Sequence, residues 1–331
     1  MKYKSLMFLP IFASCLVSCG NNRHDISEYI LKTPYKDNYR ILQLTDVHLG
    51  DKDKLEEHFK FMDITIKEAN PDLIVVTGDL FTFASKSTAK SLFDFLNSYD
   101  SKWTVCFGNH DEQCYFSIDW MTDVLNNYGE KCLFKDIQDD DIFGNCNFAI
   151  NLMQGESVFE QIIVMDSNRY QFGLESMGYD CFKVDQIDWY SRLVDTTKEN
   201  NGGDTVESLM FYHIPLPEVD DAWENGKDDP SKIKNPTGSV AQKNEKSCPP
   251  KKDNHFFDTI KTKGSTKGMY FGHDHINNFI VEYEGIDFGY GIKSTNRVYY
   301  QEDMMGGRVI VIKNDHTLEY EDYYHTYKEI A

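Results

Sequence analysis

The residues of this chain that could do chemistry fall in five short clusters. They are Asp46 with His48, Gly78 with Asp79, the run Gly108, Asn109, His110 and Asp111, then His213, and the run Gly272, His273, Asp274 and His275. Carboxylate and amide oxygens and imidazole nitrogens are donors that borderline divalent metals take. A single histidine or aspartate at a strand end is ordinarily a loop residue or a hydrogen-bonded cap. Five such clusters in this order read together as one dinuclear metal site.

The elements that must position them are legible next to them. Residues 40–45, 73–78 and 103–108 are short, apolar and rich in β-branched side chains, and each leads into a cluster. Residues 211–213 and 269–273 repeat the pattern. Such runs, bounded by Gly or Asp, read as buried strands. Polar residues at the carboxyl ends of adjacent strands converge on one crevice, where open α/β sheets place their ligands. Glycines 78, 108 and 272 let the backbone turn sharply beside the metals.

From residue 40 to about 312 the chain resembles the calcineurin-like metallophosphoesterases, whose pattern D-x-H, G-D, G-N-H-[DE], H, G-H-x-H it carries in order. Residues 211–218 (FYHIPLPE) and 272–278 (GHDHINN) are similar to a purple-acid-phosphatase-like branch of that family. That branch's Leu-Asp-Ser-Gly stands here as Met165, Asp166, Ser167 and Asn168. The resemblance implies an α/β fold, a four-layer sandwich of two mixed β-sheets flanked by helices. It gives one metal Asp46, His48 and His275, and the other Asn109, His213 and His273, with Asp79 bridging. Two ions about 3.5–4 Å apart need such a shared anionic ligand, and a solvent molecule between them, acidified toward hydroxide, can attack phosphorus in line. His110 would then protonate the leaving oxygen as general acid, a role imidazole suits near neutral pH. The purple enzymes carry a tyrosine three residues after the bridging aspartate and lack the first histidine. Here those positions are Thr82 and His48. No tyrosinate–iron(III) centre is therefore expected, and manganese, iron and zinc all suit the donors. Asp111 and Asp274 are each expected either to hold a neighbouring histidine in its tautomer or to cap backbone.

Residues 1–19 read as a secretory signal: Lys2 and Lys4, an apolar stretch from Leu6 to Val17, then Ser18 and Cys19. Residues 16–19 (LVSC) resemble a bacterial lipobox, which would make Cys19 the lipid-attachment site, with Cys15 a weaker second match. Residues 20–37 would be a polar tether and 38–331 one catalytic domain, since ligands from 46 to 275 must meet in one place. An exported lipoprotein held on the cell-envelope membrane is the expected location. With 34 basic and 54 acidic residues the chain carries a net charge of −20, which disfavours nucleic acid as a partner. Phosphorylated small molecules or phosphoproteins are the expected substrates. Besides Cys15 and Cys19 there are six cysteines, and export permits disulfides among them. Cys106 sits within an expected strand and reads as a packed thiol.

Helices are expected over 53–69, where Leu55, Phe59, Met62 and Ile66 form a stripe, and over 87–98, 116–128, 185–196 and 253–262. Trp189 and Tyr190 read as core. Residues 278–283, 285–290 and 308–312 read as successive strands of a second sheet. Residues 219–252 hold Pro230, Pro236, Pro249 and Pro250 among Asp, Lys, Asn and Gly, and read as an irregular insertion that could overhang the metals. Arg169, Lys293 and Arg297 follow expected strands and are the cations to consider for phosphate contact, although a salt link is the commoner fate of each. The leading function is a metal-dependent phosphomonoesterase. A phosphodiesterase acting on nucleotide or lipid-headgroup diesters is the alternative, and a lipoprotein that only binds is a third reading.

Overall fold

The computed structural model describes residues 23–138, 141–172, 177–237 and 239–329. The signal segment, Cys15 and Cys19 lie outside the described residues. Two sheets pack face to face. One has five strands in the order β15-β14-β2-β3-β4: β2 (Tyr39–Leu44), β3 (Leu73–Thr77), β4 (Lys102–Cys106), β14 (Gly306–Ile312) and β15 (Leu318–Tyr324). The other has eight, in the order β1-β5-β6-β9-β11-β13-β12-β10. Its members are β1 (Ile30–Pro34), β5 (Phe148–Gln154), β6 (Ser157–Val164), β9 (Ser208–Phe211), β10 (Ile233–Lys234), β11 (Thr266–Phe271), β12 (Ile280–Tyr283) and β13 (Ile286–Tyr290). A separate hairpin pairs β7 (Tyr170–Phe172) with β8 (Met177–Tyr179).

Side chains alternate across the eight-stranded sheet because successive Cβ atoms of a strand point to opposite faces. Ile162, Val164, Leu209, Phe211 and Tyr270 join the core that also contains β2, β3 and β4. Ile163, Met210, Met269 and Phe271 join a second core with the helices α4 (Val184–Asn200), α5 (Val219–Asp228) and α6 (Phe256–Lys263). The helices α1 (Leu55–Ala69), α2 (Lys86–Asn97) and α3 (Ile118–Asn126) bury their apolar faces in the first core. The result is the expected four-layer α/β sandwich. Trp189 and Tyr190 are fully buried in the second core.

Four local readings change. The run 308–312 does not continue the second sheet. As β14 it returns antiparallel to β2, with Ile310 opposite Ile41, and joins the sheet that carries the first three clusters. There Arg308 is fully buried, paired with Asp322 at 2.7 Å and donating to the carbonyls of Asn278 and Tyr290, so it ties the two sheets together. The stripe of α1 is also turned: His58, Phe61, Met62, Thr65, Ile66 and Ala69 are buried, while Leu55 and Phe59 are only partly covered. Phe59 stacks on Phe95 of α2, with centroids 4.6 Å apart.

The expected tether is folded from Ile26 onward, because Ile26 and Tyr29 enter the second core and β1 pairs in parallel with β5. Residues 219–252 are not structureless either. Val219, Ala222 and Gly226 face inward on α5, and β10 closes the sheet edge against β12. Beyond β10 the chain forms a strap along 274–278. Gln242 and Asn278 exchange two hydrogen bonds, Ile276 N donates to Glu245, and Cys248 N donates to Asp274. Cys106, Cys132, Cys146 and Cys181 are buried thiols, and no disulfide links the described cysteines.

Candidate metal centre

β2, β3 and β4 of one sheet and β9 and β11 of the other all end at the same crevice. Asp46 and His48 follow β2, Asp79 follows β3, Asn109 and His110 follow β4, His213 follows β9, and His273 and His275 follow β11. Within each sheet, backbone bonds join neighbouring strand ends at this crevice. Asp46 N donates to Gly78 O, His48 N to Asp79 O, and Gly272 N to His213 O. The backbone of four donor residues lies in the left-handed region: Asp46 (φ 53°), His48 (φ 52°), Asp79 (φ 49°) and His273 (φ 80°). Such conformations are costly for non-glycine residues and concentrate where function demands a particular side-chain direction. Gly78 (φ 78°) and Gly108 are needed for room. A Cβ on the first would lie 2.5 Å from the His213 ring, and one on the second 2.3 Å from Asp79 Oδ1.

The side chains gather into two buried groups that share one carboxylate. Asp46, His48, Asp79 and His275 form one, and Asp79, His213 and His273 form the other. Asp79 Oδ2 lies 3.2 Å from His213 Nε2 and 3.5 Å from His48 Nε2. Asp46 Oδ1 lies 3.3 Å from His275 Nε2, and the Nε2 atoms of His48 and His275 face each other at 3.1 Å. Asn109 Oδ1, His213 Nε2 and His273 Nε2 are buried without a hydrogen-bond partner. Buried polar atoms are rarely left so, and three such atoms beside a shared carboxylate fit metal ions.

The outer ring nitrogens show how the imidazole lone pairs are aimed. His213 Nδ1 donates to the Thr77 carbonyl at 2.8 Å, and His275 Nδ1 to the Tyr299 carbonyl at 2.9 Å. A carbonyl can only accept, so a neutral ring must present an Nε2 lone pair to the centre. Thr82, at the position of the purple enzymes' tyrosine, meets His48 Nδ1 at 2.9 Å. Asn109 Nδ2 donates to the Tyr170 hydroxyl at 2.9 Å, which turns its oxygen inward. Burial disfavours charge on His213, His273 and Asp79. For His213, Asp79 outweighs that effect and raises the pKa to about 10. Burial and then the neighbouring His213 push His273 down to about 3. Burial also opposes the charge on Asp79, but His213 and His48 hold its carboxyl well below the usual range. Metal ions at these positions would take the place of the shared protons.

His110 is half-buried at the mouth. Its backbone N–H donates to Asp79 Oδ1 at 2.8 Å, its ring lies 5.1 Å from that of His48, and its Nδ1 meets Gln113 Oε1 at 2.9 Å. Asp111 and Asp274 do not hold histidine tautomers. Asp111 accepts from the backbone of Phe81 and Gly108, at 3.0 and 2.7 Å. Asp274 accepts from the Tyr290 hydroxyl at 2.5 Å and from Cys248 N at 3.2 Å. None of the three suspected cations is left over for phosphate. Arg169 pairs with Glu112 and approaches Asp166, and Arg297 pairs with Asp53 at 2.8 Å. Lys293 is fully buried and donates to the Asp46 carbonyl at 2.8 Å, with burial bringing its pKa down to about 8.

Sequence reasoning missed Gln113, Tyr170, Tyr179 and Tyr299. Gln113 carried a signal, lying three residues after His110 on a short turn. The tyrosines carried none beyond abundance. Tyr179 meets the His273 ring edge-on at 4.3 Å, and Tyr299 stacks on His275 at 4.1 Å.

The model of the family described as calcineurin-like phosphoesterase matches residues 39–288. The chain is 28% identical over 287 residues to an Arabidopsis thaliana protein named probable inactive purple acid phosphatase 29, covering 76% of this chain and 71% of that protein. It is 25% identical over 323 residues to probable inactive purple acid phosphatase 14 of the same plant, covering 86% and 78%. Among solved structures, a dimetal phosphatase from Danio rerio matches with a TM-score of 0.53 at 14% identity, covering 88% of this chain and 100% of that one, a likeness of fold. With the ligand order, the sandwich and a family match over most of its length, the chain belongs to the calcineurin-like phosphoesterase family.

Proposed function

We propose that this chain is a metal-dependent phosphoester hydrolase whose preferred substrates are phosphomonoesters. The observation that supports this most directly is the pair of ligand groups sharing Asp79, with Asn109 Oδ1 and His273 Nε2 buried without a hydrogen-bond partner and His213 Nε2 beside the shared carboxylate. Two divalent ions held there, whether manganese, iron or zinc, would supply Lewis acidity and a solvent nucleophile acidified at neutral pH. The chain's own residues provide the rest. The Thr77 and Tyr299 carbonyls keep two imidazoles aimed inward. Gln113 engages His110 Nδ1, so Nε2 of the protonated ring donates its proton to the departing ester oxygen. The names of the plant relatives call those proteins inactive. In this chain every ligand position holds a donor, which favours an active centre.

The deciding measurement is turnover of p-nitrophenyl phosphate and bis(p-nitrophenyl) phosphate side by side, after loading with each metal. Monoester kcat/KM should exceed the diester value at least about tenfold. The reverse ratio moves the chain to phosphodiesterases. Two tightly bound metals with no turnover of either ester would leave the binding lipoprotein.

The same reading puts the mature chain on the cell-envelope membrane through a lipid on Cys19. Cys19→Ala should abolish palmitate labelling and leave a precursor or a soluble form. Full labelling of that variant would move the site to Cys15 or dismiss the anchor. Among the described residues no helix is long and apolar enough to cross a membrane.

A further inference from the structure

Beside the centre, a groove of about 400 Å³ runs between β8 and the end of the strap that follows β10. Met177 and Tyr179 stand on one side, and Lys246, Pro249, Pro250 and Lys251 on the other. Both walls are anchored to the metal ligands. The Tyr179 ring meets the ligand His273 edge-on at 4.3 Å, and it stacks on Tyr170, which holds Asn109. The strap is tied by Cys248 N to Asp274, between the ligands His273 and His275. The groove therefore lies next to the half of the centre built by Asn109 and His273, with Tyr179 between them. Its volume is that of a small-molecule subsite.

The lining has two chemistries. Tyr179, Pro249, Pro250 and Met177 are apolar or aromatic, and Met177 is 70% exposed at the rim. Lys246 and Lys251 are exposed, and among the described residues no carboxylate pairs with either. By contrast, Arg169, Arg297 and Lys243 are each paired with a carboxylate. Asp220, the one carboxylate in the lining, is the partner of Lys243. In a chain of net charge −20, two uncommitted ammonium groups beside an apolar wall make a local site for an anion on an apolar body.

We propose that this groove is the subsite for the organic part of the substrate, and that it selects small phosphoesters whose planar or apolar body carries a second anionic group remote from the phosphate. The inference rests on the phosphoester reading of the metal centre. In it, the phosphoryl group sits at the metal ligands, the body lies against Tyr179 and Pro249, and the remote anion reaches Lys246 and Lys251. Tyr179, Lys246 and Lys251 are thus specificity-determining residues.

The test separates binding from turnover. Non-hydrolysable benzylphosphonate and 4-carboxybenzylphosphonate are titrated calorimetrically into the metal-loaded protein, and phenyl phosphate and 4-carboxyphenyl phosphate are compared as substrates. The carboxylated phosphonate should bind about tenfold more tightly than the plain one. Replacing both lysines (K246A with K251A) should erase that preference, and Tyr179→Ala should weaken both phosphonates. The preference should also fall with rising ionic strength. Equal affinity for the two phosphonates in the unmodified protein, absence of binding by either, or a preference that survives the double lysine substitution would each overturn the proposal. Selective phosphonate binding without turnover of any phosphoester would sink the hydrolase reading and leave the groove standing.

Discussion

Asp79→Asn is expected to strip both metal positions and abolish turnover while leaving the fold in place. Asp79 is the one carboxylate common to the two ligand groups, with Oδ2 within 3.2 Å of His213 and 3.5 Å of His48. Its charge is what two cations would share, and an amide cannot replace it. Burial already makes that charge expensive, and the surrounding histidines sustain it. The asparagine oxygen can still accept from His110 N, so the local backbone keeps its bond. The loss of transition-state stabilisation should be several kcal/mol, about 10³-fold or more in rate. His275→Ala, which touches one group only, should retain more metal. Metal content after dialysis, turnover and circular dichroism check this together. Two tightly bound ions per chain in the asparagine variant would contradict the bridging role.

The second large effect is expected at His110 and should depend on the leaving group. His110→Ala should reduce turnover of an alkyl phosphate by about 10²–10⁴-fold, the usual contribution of a general acid. With p-nitrophenyl phosphate the loss should be far smaller, because nitrophenolate departs without a proton. The motive is placement. His110 is attached to Asp79 through its own backbone, yet its ring stands half-exposed at the mouth and is engaged by Gln113. Gln113→Ala should show a weaker form of the same selectivity, since it removes the orienting contact and not the acid. Equal losses on both substrates for His110→Ala would reassign this histidine to phosphate binding.

Asp79 and His110, the residues on which both effects centre, were legible in the sequence. The donor residues, their order and the glycines beside them lie within a few positions of one another at each strand end. Local sequence therefore carries the information. The strands themselves are legible for a related reason. β2, β3 and β4 are short apolar runs buried on both faces, and that pattern is unlike the helical stripes of α2 and α4.

The tertiary structure decided everything that depends on which distant segment lies opposite. β14 is as apolar as β13, and nothing within residues 308–312 says that it pairs with β2 instead of the sheet next to it in sequence. The inward face of α5 is only Val219, Ala222, Trp223 and Gly226, a stripe masked by charges in a ten-residue helix. Asp111 and Asp274 were equally suited to bracing a histidine or capping backbone. Only the positions of Phe81 N, Gly108 N and Cys248 N chose the latter. The carbonyls of Thr77 and Tyr299 that orient His213 and His275 belong to the backbone, which every residue has, so no residue type announces them. Ligand identity is thus a local property of the chain. Ligand orientation, and the groove beside the centre, arise from contacts between segments far apart in sequence, which side-chain type alone does not encode.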